Sequence, residues 1–359
     1  MSTIGYDFMK KNICFISLGN IYLAPYLKTY TNLIENYSII YWDRENLDEN
    51  LDNAKVYRFT KANKSKIDKI IGYIQFRRYA TRLLKKNNYD CLIFLQTLGS
   101  ILLSKIITKK YKKKYIVDIR DYSYEGNKLI FHIEKKVIQN SYKCVLSSEG
   151  YKDFLPESDY LITHNRRELP FCNVERIKNR MKNRKTINIA FIGYVNYQDQ
   201  HKKLLLSLKN DNRFVISFIG TKALELKDFC EKNGITNVIL QDRFDSSRIL
   251  DFYQNADFVN NLYGNHTPTL DYALSNKLYF AAELNIPILV FEDTFMSRVA
   301  EKYQFGLTIS TINNQIGDLI WAYYNSIDWD VFSNHCAGFM EKVTSEQKIF
   351  EKEIAAILV

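Results

Sequence analysis

Short apolar runs rich in β-branched and aromatic residues recur along the chain, separated by amphipathic stretches of helix length. In the first half these runs are 13–18, 38–42, 55–59, 91–95, 115–119, 143–146 and 160–163, with helix-period segments at 64–86, 100–113 and 129–140 between them. A polar stretch, 172–185, carries many Arg, Lys and Asn and has no strand signal. The pattern then restarts with apolar runs at 187–193, 214–220, 237–241, 258–262, 287–291 and 306–309. Helical spacing fills 200–209, 222–233, 246–255, 276–283 and 294–303. The last stretch, from 331 to 358, again alternates apolar and charged positions at helical spacing.

Strand and helix alternating in this way predict βαβ units on a parallel sheet. With 359 residues, one core rarely suffices, so two domains are expected. The fold class is therefore α/β: two Rossmann-like parallel-sheet domains facing across a cleft, with a C-terminal helix packing back across both. The expected boundaries are 1–170 for the first domain, 171–185 for the linker, 186–330 for the second domain and 331–359 for the final helical segment. Ligands in such sheets lie beyond the carboxyl ends of the strands.

Composition sharpens this frame. The net charge of +10 is uneven: residues 1–165 hold 27 Lys and Arg against 17 Asp and Glu, and the remainder holds 23 of each. The excess gathers from Lys64 to Lys86, where isoleucines interleave with the cations, and from Lys109 to Lys114. Apolar and basic residues together describe an interfacial helix on anionic lipid, so peripheral association with an anionic membrane surface is expected. The basic stretches lack the aromatic recognition motifs of RNA-binding modules, and nucleic acid is not an expected partner. No apolar run reaches eighteen residues, the length a spanning helix needs. The first apolar run, interrupted by Gly19 and Asn20 and followed by Pro25, reads as a buried strand of a cytoplasmic protein rather than a secretion signal. Six scattered cysteines without a C-x-x-C pair predict reduced core thiols, not disulfides or a zinc site.

The most informative segment is Ser275-Asn276-Lys277. Ser275 is a good N-cap, and a helix starting there offers backbone N–H groups and a first-turn lysine, the makings of a diphosphate cradle. An ordinary capped surface helix is the plain alternative. The context decides between them. This helix is followed by Pro287-Ile288-Leu289-Val290, then by a helix and Gly306-Leu307-Thr308-Ile309; upstream lie Asp242-Arg243-Phe244 and Asn255-Ala256-Asp257 before the run 258–262. In that order the segments resemble the donor-binding half of GT-B glycosyltransferases, particularly family-4-like enzymes of bacterial capsular and surface polysaccharide biosynthesis. Residues 186–310 carry the resemblance, and the first half shares only the pattern.

The resemblance implies a sugar moved from a nucleotide-sugar donor to a saccharide or polyprenyl-linked saccharide acceptor, with retention of configuration, no cofactor and no metal. Gly193 would let the backbone approach the phosphates, Ser275, Asn276 and Lys277 would hold the diphosphate, and Arg243 would be a second phosphate ligand. His266 and Thr267 would lie on the loop between diphosphate and sugar. One departure stands out: counting back from Pro287, the family's ribose-binding glutamate falls on Phe280 and its partner on Tyr272, so the glutamate pair is absent. Asp271 and Glu283 are the nearby substitutes.

In the first half, Asp118, Arg120 and Asp121 end the run 115–119. Charges there need a partner or a ligand to offset their desolvation. Either an Asp–Arg pair locks a loop, or, as the resemblance implies, Asp121 orients or deprotonates the acceptor, Arg120 contacts phosphate and Asp118 stands with them. Gly19 and Asn20 would form an acceptor-side loop. Asp328-Trp329-Asp330 matches a D-x-D metal motif but lies in a helical region, so it is read as chance. Neither G-x-G-x-x-G, a Walker lysine loop nor a G-x-S-x-G elbow is present. A GT-B-fold sugar-nucleotide epimerase and a non-catalytic basic binding protein remain open alternatives, and an acceptor-free assay of donor turnover separates the first of them.

Overall fold

The computed structural model describes residues 11–62, 65–167, 169, 175, 177 and 185–358. Most of the expected linker, together with Lys64 and Cys172, lies outside them. The chain forms two compact units, residues 1–164 with 345–359, and residues 165–344.

The first unit is built on seven parallel strands: β1 (Ile13–Ser17), β2 (Tyr37–Asp43), β3 (Ala54–Thr60), β4 (Cys91–Phe94), β5 (Tyr115–Ile119), β6 (Lys143–Leu146) and β7 (Tyr160–Ile162), in the order β3-β2-β1-β4-β5-β6-β7. Strands such as β1, β4 and β5 are buried at every position. Parallel sheets are covered on both faces, which is why these strands read as unbroken apolar runs. On one face, Phe15, Tyr30 and Ile93 share a core with Phe350 and Ile354 of the last helix. On the other, the Trp42 ring stacks on Phe76 of the helix Lys66–Lys86. A Cβ added to Gly72 in that helix would come within 2.2 Å of the buried Trp42 ring, so close ring-to-backbone packing explains a glycine in mid-helix.

The second unit repeats the plan with six parallel strands: β8 (Ile187–Ile192), β9 (Phe214–Ile219), β10 (Val238–Gln241), β11 (Phe258–Asn261), β12 (Ile288–Phe291) and β13 (Gly306–Ile309), in the order β10-β9-β8-β11-β12-β13. One core cluster lies on each face of this sheet. In each unit the strand order reverses beside the first strand, between β1 and β4 and between β8 and β11. Such reversals are where doubly wound sheets bind ligands, beyond the strands' carboxyl ends. The last helix, Trp329–Leu358, gives Phe332, Cys336 and Phe339 to the second unit's core, and Phe350, Ile354 and Leu358 to the first unit's.

Each run read as a strand forms one. The helix expected over 100–113 is instead two, Thr97–Leu102 and Ser104–Lys110, meeting at buried Leu103. The α-helices Leu27–Thr31, Pro268–Asp271 and Ile316–Ser326 form where the apolar spacing predicts none. The D-x-D segment opens the last helix: Asp328 Oδ1 accepts the N–H groups of Asp330 and Val331, both at 3.1 Å, and Trp329 packs on Tyr324 and Phe332. Its carboxylate thus serves as a helix cap. Among the described residues the five cysteines are buried, no helix is long and apolar enough to cross a membrane, and no three His, Cys, Asp or Glu side chains cluster as metal ligands would.

Candidate active site

The second unit's strand ends approach one another through two glycines. Gly193 follows β8 at φ +131°, and Gly220 follows β9 at φ +129°. Their backbones meet so closely that a Cβ on Gly220 would lie 2.0 Å from the Gly193 carbonyl oxygen. Positive φ and close approach are what glycine alone tolerates. Gly193 was singled out from the sequence, whereas Gly220, which the Gly193 turn requires, was not.

Ser275 caps the helix Asn276–Glu283 as expected, its hydroxyl accepting the Lys277 N–H at 3.1 Å. Asn276 is exposed at the helix mouth, while Lys277 turns inward and is only 7% exposed. The Lys277 ammonium donates to Tyr263 Oη at 2.8 Å, sits 4.1 Å from the centroid of the Phe191 ring, and lies 3.5 Å from the position a Gly193 Cβ would take. Aromatic faces stabilise such a cation. No carboxylate among the described residues pairs with it, although a charge this buried ordinarily has a counter-ion.

Beside Tyr263 lies a small pocket of about 90 Å3, lined by Asn261, Gly264, Thr269, Ser275, Phe291 and Thr294 among others. Asn261 is buried, and its Oδ1 has no hydrogen-bond partner. The loop over this region includes Gly264 at φ +112° and His266 at φ +61°; His266 and Thr267 are exposed. Asn265 anchors the loop by donating to the Glu292 carbonyl at 3.0 Å. Arg243 is exposed, two residues beyond the end of β10. Among the positions bearing on the absent glutamate pair, Phe280 is buried and stacked on Tyr253, centroids 4.7 Å apart and planes at 21°. Glu283 is taken up by a bidentate contact from Arg166, at 2.8 and 3.2 Å, and Asp271 is half-buried.

His201, which no local sequence signal marks, is fully buried between Phe191 and Phe218, with centroids 4.7 and 4.8 Å away. Burial pushes its pKa down to about 4, and the nearby Lys277 charge acts in the same direction. It therefore forms a neutral wall behind the lysine's aromatic cradle.

In the first unit, Asp118 and Arg120 form a tight buried pair. Arg120 Nε lies 2.6 Å from Asp118 Oδ1, and its Nη2 donates to Oδ2 at 2.7 Å. Tyr30 Oη also donates to that carboxylate, at 2.7 Å, and the guanidinium stacks 4.1 Å from the Tyr26 ring centroid. Burial opposes the Arg120 charge, but the Asp118 carboxylate outweighs it and holds the guanidinium's pKa above its ordinary value. The Arg120 carbonyl in turn accepts from Ser147 and Tyr151. These contacts tie down the loop that follows β5. Asp121 is different: its side chain is exposed, yet surrounding protein raises its carboxyl pKa, with Arg120 pulling the other way. That is the direction a general base requires.

Asn20 is buried, and its amide is fully used. Its Nδ2 donates to Asp43 Oδ1 at 2.8 Å and Glu49 Oε2 at 3.0 Å, and its Oδ1 accepts the Arg44 N–H at 3.0 Å. Gly19 lies at the strand-order reversal, its carbonyl accepting from Ser17 Oγ. The structure thus brings Ser275, Asn276, Lys277 and Gly193 together in one place, and Asp118, Arg120 and Asp121 in another.

No protein-family model matches this chain, and no curated protein matches it in sequence. Solved structures do match. Sucrose-phosphate synthase from Thermosynechococcus elongatus superposes with a TM-score of 0.68 at 9% identity, over 97% of this chain and 100% of that one. A glycosyltransferase from Rickettsia africae gives 0.65 at 12% identity, over 97% and 99%. Anabaena HepE in complex with UDP gives 0.64 at 11% identity, over 96% and 100%. The fold is that of the GT-B glycosyltransferases. Within this GT-B fold, the glycine pair and the lysine helix occupy the carboxyl edge of the second sheet.

Proposed function

We propose that the chain is a glycosyltransferase whose second unit binds a nucleotide-sugar and whose first unit binds a saccharide or polyprenyl-linked saccharide acceptor in bacterial polysaccharide assembly. The observation that carries this reading is Lys277, a buried ammonium without a carboxylate partner among the described residues, at a capped helix N-terminus beside a glycine turn. A diphosphate supplies the missing anion, and both helix end and ammonium stabilise the charge that develops as it leaves. That arrangement supports metal-independent chemistry. The pocket beside Tyr263 would take part of the transferred sugar, with His266 and Thr267 closing over it. Exposed Arg243 would reach a phosphate, and Asn276 would add its amide. In the first unit, Asp121 would orient or deprotonate the acceptor, with Asp118 and Arg120 fixing its loop. Phe280 and Tyr272 replace the family's glutamate pair, so ribose recognition would pass to other groups, Asp271 among them; retention of configuration rests on the resemblance. The basic helix face would hold the enzyme peripherally on the inner face of the membrane.

The test is a thermal-shift screen against UDP-, GDP-, CMP- and TDP-sugars, since a ligand that binds only the folded state raises the melting temperature. One class is expected to stabilise the protein, with and without EDTA, and Lys277→Ala is expected to remove the shift. A Lys277→Ala protein that responds undiminished would overturn the donor site. Turnover of the donor without acceptor, giving an epimeric sugar, would favour the epimerase reading instead.

A further inference from the structure

The outward face of the helix Lys66–Lys86 is a single stripe in two chemically distinct halves. Ile67, Ile70, Ile71 and Ile74 open it, 70%, 60%, 40% and 48% exposed, while Gly72, Phe76, Ala80 and Leu84 on the opposite face are buried. These isoleucines point away from the core, and each forgoes part of the stabilisation that burial would supply. Beyond Ile74 the same stripe turns cationic. Arg78, Arg82 and Lys85 form one wall of a groove of about 810 Å3, and Lys105 and Lys109, from the helix Ser104–Lys110, form the other. Leu102, Leu103 and Ile106 contribute apolar lining, and no acidic residue lines the groove. These five cations have no ion-pair partner among the described residues. Lys110, at the groove's end, differs in donating to the carbonyls of Leu84, Lys85 and Asn87, where it caps the longer helix.

Two unfavourable features thus adjoin each other: apolar side chains in water, and like charges crowded without a counter-ion. An anionic lipid surface relieves both, because acyl chains take the isoleucines and headgroup phosphates take the cations. A nucleic acid would relieve only the second. The rings that would stack on its bases are engaged elsewhere, Tyr73 against Trp42 and Tyr79 against Phe59. We infer that this groove is a discrete seat for the phosphate headgroup of an anionic membrane lipid, with the isoleucine stripe inserted beside it. The inference rests on the peripheral-membrane reading and adds a defined site to it. Arginine and lysine donors converging on a groove recognise phosphate by hydrogen bonding as well as charge, so the seat distinguishes a phosphate lipid from another anion of equal charge.

The experiment measures binding of the full chain to vesicles of phosphatidylcholine alone, with phosphatidylglycerol, or with oleate at matched surface potential. Phosphatidylglycerol vesicles are expected to bind best, and neutral vesicles least. Arg78→Glu with Arg82→Glu is expected to cost at least about tenfold in affinity. Lys112→Glu with Lys114→Glu, an equal charge change at exposed positions outside the groove, is expected to cost less than about threefold. Ile70→Asp with Ile74→Asp is expected to weaken binding to both charged surfaces. Melting temperatures and the nucleotide-sugar shift of each variant report folding and the donor site separately. Equal losses from the two charge reversals, or equal binding to the two anionic surfaces, would overturn the seat and leave a diffuse basic face. Absence of binding to every vesicle, or capture of RNA with vesicles ignored, would overturn the membrane reading while leaving the donor reading to its own test.

Discussion

Each unit buries a cation beyond the carboxyl end of its sheet, and the two are treated oppositely. In the first, Arg120 is clasped by the Asp118 carboxylate, with Tyr30 completing the carboxylate's shell and Tyr26 covering the guanidinium. In the second, Lys277 has aromatic faces and one phenol but no acid among the described residues. A buried charge with its counter-ion inside the protein is a structural device. The same charge with no acid beside it among the described residues is the one for which we propose an anionic ligand. Two other buried titratable groups are held neutral instead. Burial pushes Glu134 up to about 8, with Glu125 adding to the effect, and brings His201 down to about 4. Neither oxygen of Glu134 finds a hydrogen-bond partner among the described residues.

The largest expected effect concerns Glu134. Its folded pKa lies above the ordinary 4.5, so the folded state holds a proton that the unfolded chain releases. Its contribution to stability is full below pH 4.5 and is lost as pH rises towards 8, by about 5 kcal/mol over that window. Chemical denaturation at pH 5 and pH 8, set against Glu134→Gln, isolates this loss, because the glutamine variant lacks the proton. Indistinguishable pH slopes would mean that water or a cation reaches the carboxylate after all. Next comes the ion pair. Asp118→Asn leaves Arg120 buried without its anion and is expected to cost about 3–5 kcal/mol, whereas Asp118→Leu with Arg120→Met is expected to recover most of it. Urea midpoints would decide; a mild Asp118→Asn variant that folds normally but loses activity would place Asp118 with the catalytic groups.

How much of this was legible in the sequence follows from the range of each interaction. The strands could be read because both faces of a parallel sheet are buried, so Cys91-Leu92-Ile93-Phe94 shows as an unbroken apolar run. The break at Leu103 could not, because the apolar spacing continues across it. Ser275 and Lys277 were visible because capping is local. The cradle around Lys277 was not, since Phe191, Tyr263 and His201 arrive from three separate segments and nothing local marks them. The Asp118–Arg120 pair is legible as one of two options, whereas its contacts with Tyr26 and Tyr30 are not, because those rings come from a distant segment at the helix Leu27–Thr31. Asn20 looked available because its partners Asp43 and Glu49 are distant in sequence and adjacent only in the fold.

His201 gives the third effect, of opposite pH sense. Its folded pKa is below the ordinary 6.5, so its stabilisation is present above pH 6.5 and is lost as pH falls towards 4, by about 3 kcal/mol. His201→Phe, in a site already walled by Phe191 and Phe218, is expected to abolish that acid sensitivity, as a pH series of melting temperatures would reveal. It also separates the wall from the ligand: donor affinity near neutral pH should change little, because the imidazole is uncharged there.

The smallest effect is the most informative about the comparison. Lys277→Met keeps the stem's volume and removes a charge that has no counter-ion among the described residues. Unlike Asp118→Asn, it therefore leaves no orphaned ion behind, and stability is expected to stay within about 1 kcal/mol of the parent or to rise. The loss falls on the ligand, about 1.5–3 kcal/mol of nucleotide-sugar affinity for one charge-assisted contact, read by calorimetric titration. Should Lys277→Met destabilise the protein as heavily as Asp118→Asn does and leave nucleotide affinity untouched, both cations would be structural and the contrast between the two units would vanish. Retained stability with lost affinity would place the missing counter-ion of Lys277 on the donor.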